Sequence, residues 1–381
     1  MKYSSKIICI VCVFLFCNQC NHNPVDTDSA KNTDLSLELL WQYPQEEAIF
    51  AEIAVVGDTL YVADSKKLAM LNTSGEILAT FDLIKGPGFG KLIIDGDQIC
   101  FGTSAHRGLN TAFLYLLDRH TLQPVWFKSE IAWAASPCVD ENTVYYAGLN
   151  EVKALDRATG AEKWSRVTGG RTAYNPVRED NRLYFLTAAF RSDGFLYCLD
   201  AESGQIVFQD TLHDIESNGQ FGGSVAGLTL SEDKIYVSSE NRYFYCFNKQ
   251  DGSLLWKFLG DSPLETTPAL SDGIVYTGSL NRTSYALDAE TGALLWSHQD
   301  DGSLKNDSPQ FYKDYVMFVS SGILFYDKQT GYFYGDIGEK RGYGAWTATL
   351  TLDGHIYART YDLHDGHKGY FSAFKLIEKE K

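Results

Sequence analysis

One arrangement of polar and apolar positions recurs eight times along the chain. A turn rich in Asp, Asn or Gly is followed by a β-branched residue or Leu and then, in most copies, by an aromatic. The copies are Leu60-Tyr61, Ile99-Cys100, Val144-Tyr145, Leu183-Tyr184, Ile235-Tyr236, Val275-Tyr276, Val316-Met317 and Ile356-Tyr357, with starts 39, 45, 39, 52, 40, 41 and 40 residues apart. A further apolar run ends at Asn72, Asp118, Asp156, Asp200, Asn248, Asp288 and Asp327, and at Lys375 in the eighth copy. A tight turn such as Ala289-Glu-Thr-Gly292 then opens another run. The Asx side chain can bond nearby backbone groups, and Gly supplies the positive φ that closes the hairpin. Short strands are predicted, and no stretch holds a long helical period.

Eight positions after the Asx, five copies carry Trp126, Trp164, Phe208, Trp256 and Trp296; a shorter turn puts Ala79 there in the first copy, and the seventh has Gly335. Trp41, in Leu39-Leu-Trp-Gln-Tyr43, reads as the same strand displaced to the start of the chain, because the eighth copy runs out at Leu376 without one. An N-terminal strand that completes the last unit joins the ends of a ring and leaves no open sheet edge. Repeats of roughly 43 residues with four short strands each are the blades of a propeller. The expected fold is all-β: an eight-bladed β-propeller of four-stranded antiparallel blades. It forms one domain over residues 36–377, with 378–381 as a tail. Two stacked β-sandwiches would not repeat one column through the whole chain.

Composition agrees. At 44% hydrophobic and 14% aromatic, the 381 residues hold ample core material, which excludes a disordered polymer. The 49 Asp and Glu outweigh 33 Lys and Arg, for a net charge of −16. Such a body is repelled by nucleic acid and by anionic lipid.

The leader changes the picture of location. Lys2 and Lys6 precede the apolar run Ile7–Phe16, too short to span a bilayer and of the length of a signal h-region. Cys17 and Cys20 follow, and the segment resembles a bacterial lipoprotein signal. Residues 1–19 are expected to be removed and Cys20 to carry lipid, with Cys17 as the alternative, because Cys17 would place bulky Phe16 at the cut. Residues 20–35 are polar and read as a flexible tether. The body is then expected in the bacterial envelope, touching membrane only through its anchor, on an outer membrane facing the periplasm.

The runs Ala154-x-Asp156-x-x-Thr159-Gly160-x-x-x-Trp164 and Ala286-x-Asp288-x-x-Thr291-Gly292-x-x-x-Trp296, with near variants at Cys198…Phe208 and Cys246…Trp256, resemble the tryptophan-docking repeat of quinoprotein (PQQ-like) propellers. The resemblance covers about residues 37–376. With eight blades and a lipoprotein leader, the chain is most similar to the BamB-type outer-membrane assembly lipoproteins. That implies a monomeric, non-enzymatic scaffold that docks a protein partner, such as a barrel-assembly subunit or a nascent barrel protein. In the repeat the Trp locks one blade to the next, so these residues are scaffold.

Catalytic constellations are absent from the sequence. Quinoprotein dehydrogenases, to which the repeat is also similar, hold their quinone with adjacent cysteines, and no two cysteines are adjacent here. No cofactor is expected. Cys198 and Cys246 take the Ala slot of the repeat and, like Cys100 and Cys138, read as core. Asp362-Leu-His364-Asp365-Gly-His367 has metal-ligand residue types but lies where a polar turn is expected. No Gly-x-Ser-x-Gly, P-loop or Gly-x-Gly-x-x-Gly motif occurs.

The connectors leading into each blade lie on one face of such a ring. They carry Phe50, Phe89, Trp133, Tyr174, Phe221 and Trp346, interleaved with Glu130, Arg171, Glu216, Glu265, Lys305 and Arg341. Aromatics with Arg at the mouth of a rigid ring suit protein recognition. Trp133, Arg171, Tyr174, Phe221, Arg341 and Trp346 are the expected partner-binding residues. The long connectors Asp210–Val225 and Asp336–Thr347 are where binding function is expected to sit. The competing reading is a glycan- or small-molecule-handling propeller, or a hydrolase or lyase accessory, that uses acids such as Glu216 and Glu265 near the channel.

Overall fold

The computed structural model describes residues 33–45, 52–63, 66–84, 91–103, 112–131, 136–148, 150–169, 171–172, 175–190, 193–212, 221–223, 226–300, 308–320, 322–336, 343–362 and 369–380. The expected signal segment, Cys17, Cys20 and most of the expected tether lie outside them. Among the described residues there are strands and turns and no helix.

The eight recurring runs each form the second strand of a sheet, from Thr59–Ala63 in blade 1 through to His355–Asp362 in blade 8. The runs that end in Asx form the third strands, from Lys67–Asn72 to Gly369–Glu380. Strands pair antiparallel in chain order within each blade, save that the outer strand of blade 8 comes from the start of the chain, and eight such sheets make an eight-bladed propeller. Second strands are buried almost throughout, whereas fourth strands such as Glu162–Val167 alternate between exposed and half-buried positions. The fourth strand is therefore the outer rim, and the first strand faces the channel.

The core is not central. Among the described residues it consists of eight apolar clusters, each wedged between consecutive blades. Tyr61, Phe101 and Tyr115 lie between blades 1 and 2, and Tyr276, Phe318 and Tyr326 between blades 6 and 7. Ile53 and Leu60 of blade 1 meet Tyr357 and Phe371 of blade 8, so the ring closes.

Closure occurs as the displaced Trp41 strand predicts. Thr33–Gln45 is the outer strand of blade 8 and pairs along its length with Gly369–Glu380, with Leu39 opposite Phe374 and Trp41 opposite Ala373. The ladder begins at Thr33 and ends at Glu380, three residues beyond each expected domain boundary. The reason is alternation: Leu35 and Leu37 point inward and are 3% and 1% exposed, packed with Leu376 against blade 7.

Docking by the repeated aromatics is explicit. The indole N–H groups of Trp41, Trp126, Trp164 and Trp296 donate to the carbonyls of Thr73, Arg157, Ala201 and Lys328, each the residue after the Asx of the next blade (2.8–3.0 Å). The turn glycine of that blade, such as Gly204 or Gly331, has positive φ and lies flat against the ring, leaving no room for a Cβ. Asp156 Oδ1 accepts from the Thr159 N–H (2.9 Å) and hydroxyl (2.7 Å), which sets the turn that presents Gly160. Opposite each docking position the ladder slips by one residue, as at Ala154/Leu155 and Cys246/Phe247. Cys198 and Cys246 sit at these bulges facing Phe208 and Trp256, which confirms them as small core residues. Burial pushes the Cys246 thiol up to about 12 and the Cys138 thiol up to about 11, so both stay protonated at neutral pH.

Blade 4 departs from four strands. Its second strand, Arg182–Phe190, runs nine residues, and the extra length gains two partners. Arg171 pairs with Ala188 on one side, and Phe221–Gly223 pairs with Phe190–Ala188 on the other. Blade 4 is thus six-stranded.

Candidate functional site

In an up-and-down sheet the ends of the strands fall on two faces. The connectors between blades share one face with the turns between second and third strands. The turns after first and third strands occupy the other.

Of the expected partner-binding residues, Trp133, Tyr174 and Arg341 lie outside the described residues, as do Glu216 and His364–His367. Arg171, Phe221 and Trp346 have their backbones in strands Arg171–Thr172, Phe221–Gly223 and Tyr343–Leu350, so these three stand on sheet and not on irregular loop. Arg171 and Phe221 come from connectors 50 residues apart in sequence, and the overhanging strand of blade 4 brings both into one ladder. Two flanking strands fix the backbone there far more tightly than a free loop could. Gly222 and Gly223 stand opposite Ala189 and Ala188 in this ladder. Trp346 belongs to blade 8, half a ring away.

The connector from blade 5 to blade 6, Gly260–Pro268, is described throughout. It is stapled to the turns on both sides. Gly260 N–H donates to the Arg242 carbonyl (2.8 Å), Leu264 N–H to the Ser239 carbonyl (3.0 Å), and Leu280 N–H to the Pro263 carbonyl (2.9 Å). Asp261 accepts from the Thr283 hydroxyl (2.6 Å) and Asn281 (3.1 Å), and Leu264 is fully buried beneath. This rigid connector holds Glu265 near Glu240, which lies in the turn between the second and third strands of blade 5. Burial, and then repulsion from Glu265, push the Glu240 carboxyl up to about 7; burial alone raises Glu265. Glu240 stands in a hairpin turn between Lys234–Ser238 and Tyr243–Asn248, outside the connectors to which the expected acids belong. Its signal was present: Ser239-Glu-Asn-Arg242 repeats as Ser279-Leu-Asn-Arg282 one blade on, with a carboxylate where the copy has Leu280.

The pair makes stability depend on pH. Glu240 ordinarily titrates near 4.5, so the folded chain binds its proton more tightly than the unfolded chain does. Stability from this group is complete below about pH 4.5 and is lost as pH rises through about 7. A shift of this size would correspond to roughly 3 kcal/mol; partial exposure and screening reduce that to about 1–2 kcal/mol. Glu240→Gln is expected to be more stable than the parent by this amount at pH 8 and equal to it at pH 4, read from urea midpoints at both pH values. Equal stability at pH 8 would show that the two carboxylates do not strain each other.

Among the described residues no group of three or more His, Cys, Asp or Glu is placed to hold a metal ion.

A family model described as outer membrane protein assembly factor BamB matches residues 111–218 and 192–361. Among solved structures, BamB from Moraxella catarrhalis superposes with a TM-score of 0.68 at 16% identity, covering 89% of this chain and 99% of that one. The computationally designed Ika8 protein gives a TM-score of 0.65 at 15% identity over 87% of this chain and 100% of the other. A quinohemoprotein alcohol dehydrogenase from Pseudomonas putida HK5 gives 0.64 at 12% identity, over 89% of this chain and 76% of the enzyme. At these identities the likeness is one of fold. The tetrathionate hydrolase of Acidithiobacillus ferrooxidans is 24% identical over 166 residues, 40% of this chain and 33% of that protein, so the match spans about a third of that relative's length. The repeat, the docking tryptophans, the eight blades and the family match over most of the chain agree: this chain belongs to the PQQ-like propeller family described as outer membrane protein assembly factor BamB.

Proposed function

We propose that the chain is a non-enzymatic scaffold lipoprotein of the bacterial envelope that docks a protein partner on its connector face, in the assembly of outer-membrane proteins. The observation that carries this reading is the overhang of blade 4. It spends backbone pairing on holding Arg171 and Phe221 in a fixed ladder at the ring's mouth. Ordering a binding loop in advance lowers the entropy lost on association. Family membership supports the choice of partner class, and the leader supports the location: Cys20 anchors the protein through its lipid and residues 20–35 tether the body to the membrane.

A few buried anchors dominate most interfaces. Arg171→Ala, Phe221→Ala or Trp133→Ala is expected to weaken partner binding by about 2 kcal/mol or more wherever that residue is an anchor. Where the side chain is exposed, the thermal midpoint should barely move, as for other surface changes. The measurement is an affinity capture from envelope membranes with parent and variants. Recovery of a barrel-assembly subunit that falls away with these variants supports the reading; full recovery with all three overturns the site.

The raised carboxyls of Glu240 and Glu265 favour one second reading, a glycan- or small-molecule-handling mouth. Under it, capture would return polysaccharide-processing enzymes, and Glu240→Gln would abolish glycan binding while the connector variants left it intact.

A further inference from the structure

On the face opposite the connectors, five consecutive blade boundaries carry the same polar crevice. One wall is the turn after the first strand of a blade, and the other is the Asx turn of the next. Four crevices are filled by a cation of the chain itself. Arg157 reaches across blades 2 and 3 to Gln98 Oε1 (2.6 Å) and the Asp95 carboxylate. Lys249 meets Glu179 between blades 4 and 5 (2.6 Å), and Lys328 meets Asp272 between blades 6 and 7 (2.6 Å). Between blades 5 and 6, Lys234 bridges Asp233 (2.8 Å) and Glu290 (3.0 Å). Arg157, Lys249 and Lys328 each directly follow the Asx, and only 13–14% of these side chains is exposed.

Blade 4 breaks the series. Ala201 follows Asp200, as Ala289 follows Asp288 in blade 6, but Thr143 stands where blade 5 has Lys234, and the crevice between blades 3 and 4 stays open as a cavity of about 360 Å³. Asp140, Glu141, Lys163, Trp164, Arg178 and Glu202 line it. Its size is at the lower end of cavities that hold small ligands, roughly 300–1,000 Å³. Arg178 comes from the inner strand of blade 4 and pairs with Asp140 (3.1 Å), so of the acids that line the cavity Asp140 is already neutralised. Lys163 is directed at neutral acceptors, the Asn142 carbonyl (2.8 Å) and the Thr143 hydroxyl (2.9 Å). Glu141 and Glu202 stand exposed at the rim, and no described cation pairs with either. The indole of Trp164 offers an apolar wall against which an alkyl stem can lie.

We propose that this cleft receives a lysine or arginine side chain of a bound polypeptide, entering along the path that Arg157, Lys249 and Lys328 fill in the sister crevices. The repeat supplies the argument: three times over, the same place between the same two turns is filled by a basic side chain, there supplied by the Asx turn itself and here left open by Ala201. The site is on the face away from the connectors, so its failure leaves the connector reading untouched, and the reverse also holds.

The test uses the full chain labelled with 5-fluorotryptophan, with the Trp164 signal assigned through Trp164→Phe. Nα-acetyl-arginine amide and Nα-acetyl-lysine amide are titrated against it. The expected result is a saturable shift of the Trp164 signal, absent with the neutral isostere Nα-acetyl-citrulline amide. Ala201→Lys, which restores the sister arrangement, should abolish the shift and raise the thermal midpoint. Should that variant not fold, Glu141→Gln with Glu202→Gln keeps the cleft and should weaken binding roughly fivefold, the scale of exposed ion pairs. No shift, an equal shift with citrulline, or unchanged affinity in both variants overturns the proposal. Putrescine binding tighter than the blocked lysine would overturn the polypeptide assignment.

Discussion

Removal of residues 33–45 is expected to abolish the cooperative unfolding transition and to turn a monomer into self-associated species. The segment is one strand, but it carries three separable contributions. It hydrogen-bonds along the whole of Gly369–Glu380, and without it that strand becomes an open edge. It buries Leu35 and Leu37 against blade 7, at about 1.5–3 kcal/mol for each fully buried side chain. It also brings Trp41 onto blade 1, where the indole donates to the Thr73 carbonyl (2.8 Å), packs edge-on to Phe371 (5.3 Å) and covers Gly75. Together these reach the scale of a domain's whole stability, about 5–15 kcal/mol. The outcome is read by calorimetry and light scattering on the truncated chain, and a synthetic peptide of residues 33–45 added in trans should restore the monomer. An unchanged midpoint in a monodisperse truncated chain would mean that the ring does not depend on this closure.

What was legible in the sequence is what recurs from copy to copy. The Asx, the turn glycine and the docking aromatic each serve local geometry, and their recurrence revealed the blade length, the count and even the borrowed strand, since the copy that lacked a fourth run could be matched to an orphan Trp41. The closing ladder starts three residues before the expected boundary, at Thr33, because Leu35 falls in a stretch whose polar composition resembles a tether. The blade 4 overhang was out of reach for a different reason. Thr187-Ala-Ala-Phe190 continues an ordinary strand pattern, and nothing local states that Arg171 and Gly223 will arrive on either side of Ala188. Pairing across such distances depends on where the connectors return, which composition does not encode. Glu240 and Glu265 show the same limit, as two acids 25 positions apart that meet only because adjacent blades turn their loops to one face.

Trp296→Ala is expected to cost about 3–5 kcal/mol, the range for truncating a core aromatic. The side chain is 8% exposed, stacks on Tyr326 (5.5 Å), and donates to the Lys328 carbonyl (2.9 Å), so truncation removes packing and strands an acceptor. Its partner in blade 7 is Gly331. A Cβ there would lie 2.6 Å from the indole, and φ is +69°, so Gly331→Ala should itself cost about 1–3 kcal/mol from overpacking and the left-handed backbone. The two changes should not add. Once Trp296 is gone the added methyl enters the space it leaves, and only the backbone part of the Gly331→Ala cost, about 1 kcal/mol, should persist. The combined variant is therefore expected to be more stable than the sum of the single losses predicts, by about 1–2 kcal/mol, measured from urea midpoints across the four-member cycle. Strict additivity would show that Gly331 is required by its own turn alone, and that the indole does not rest on it.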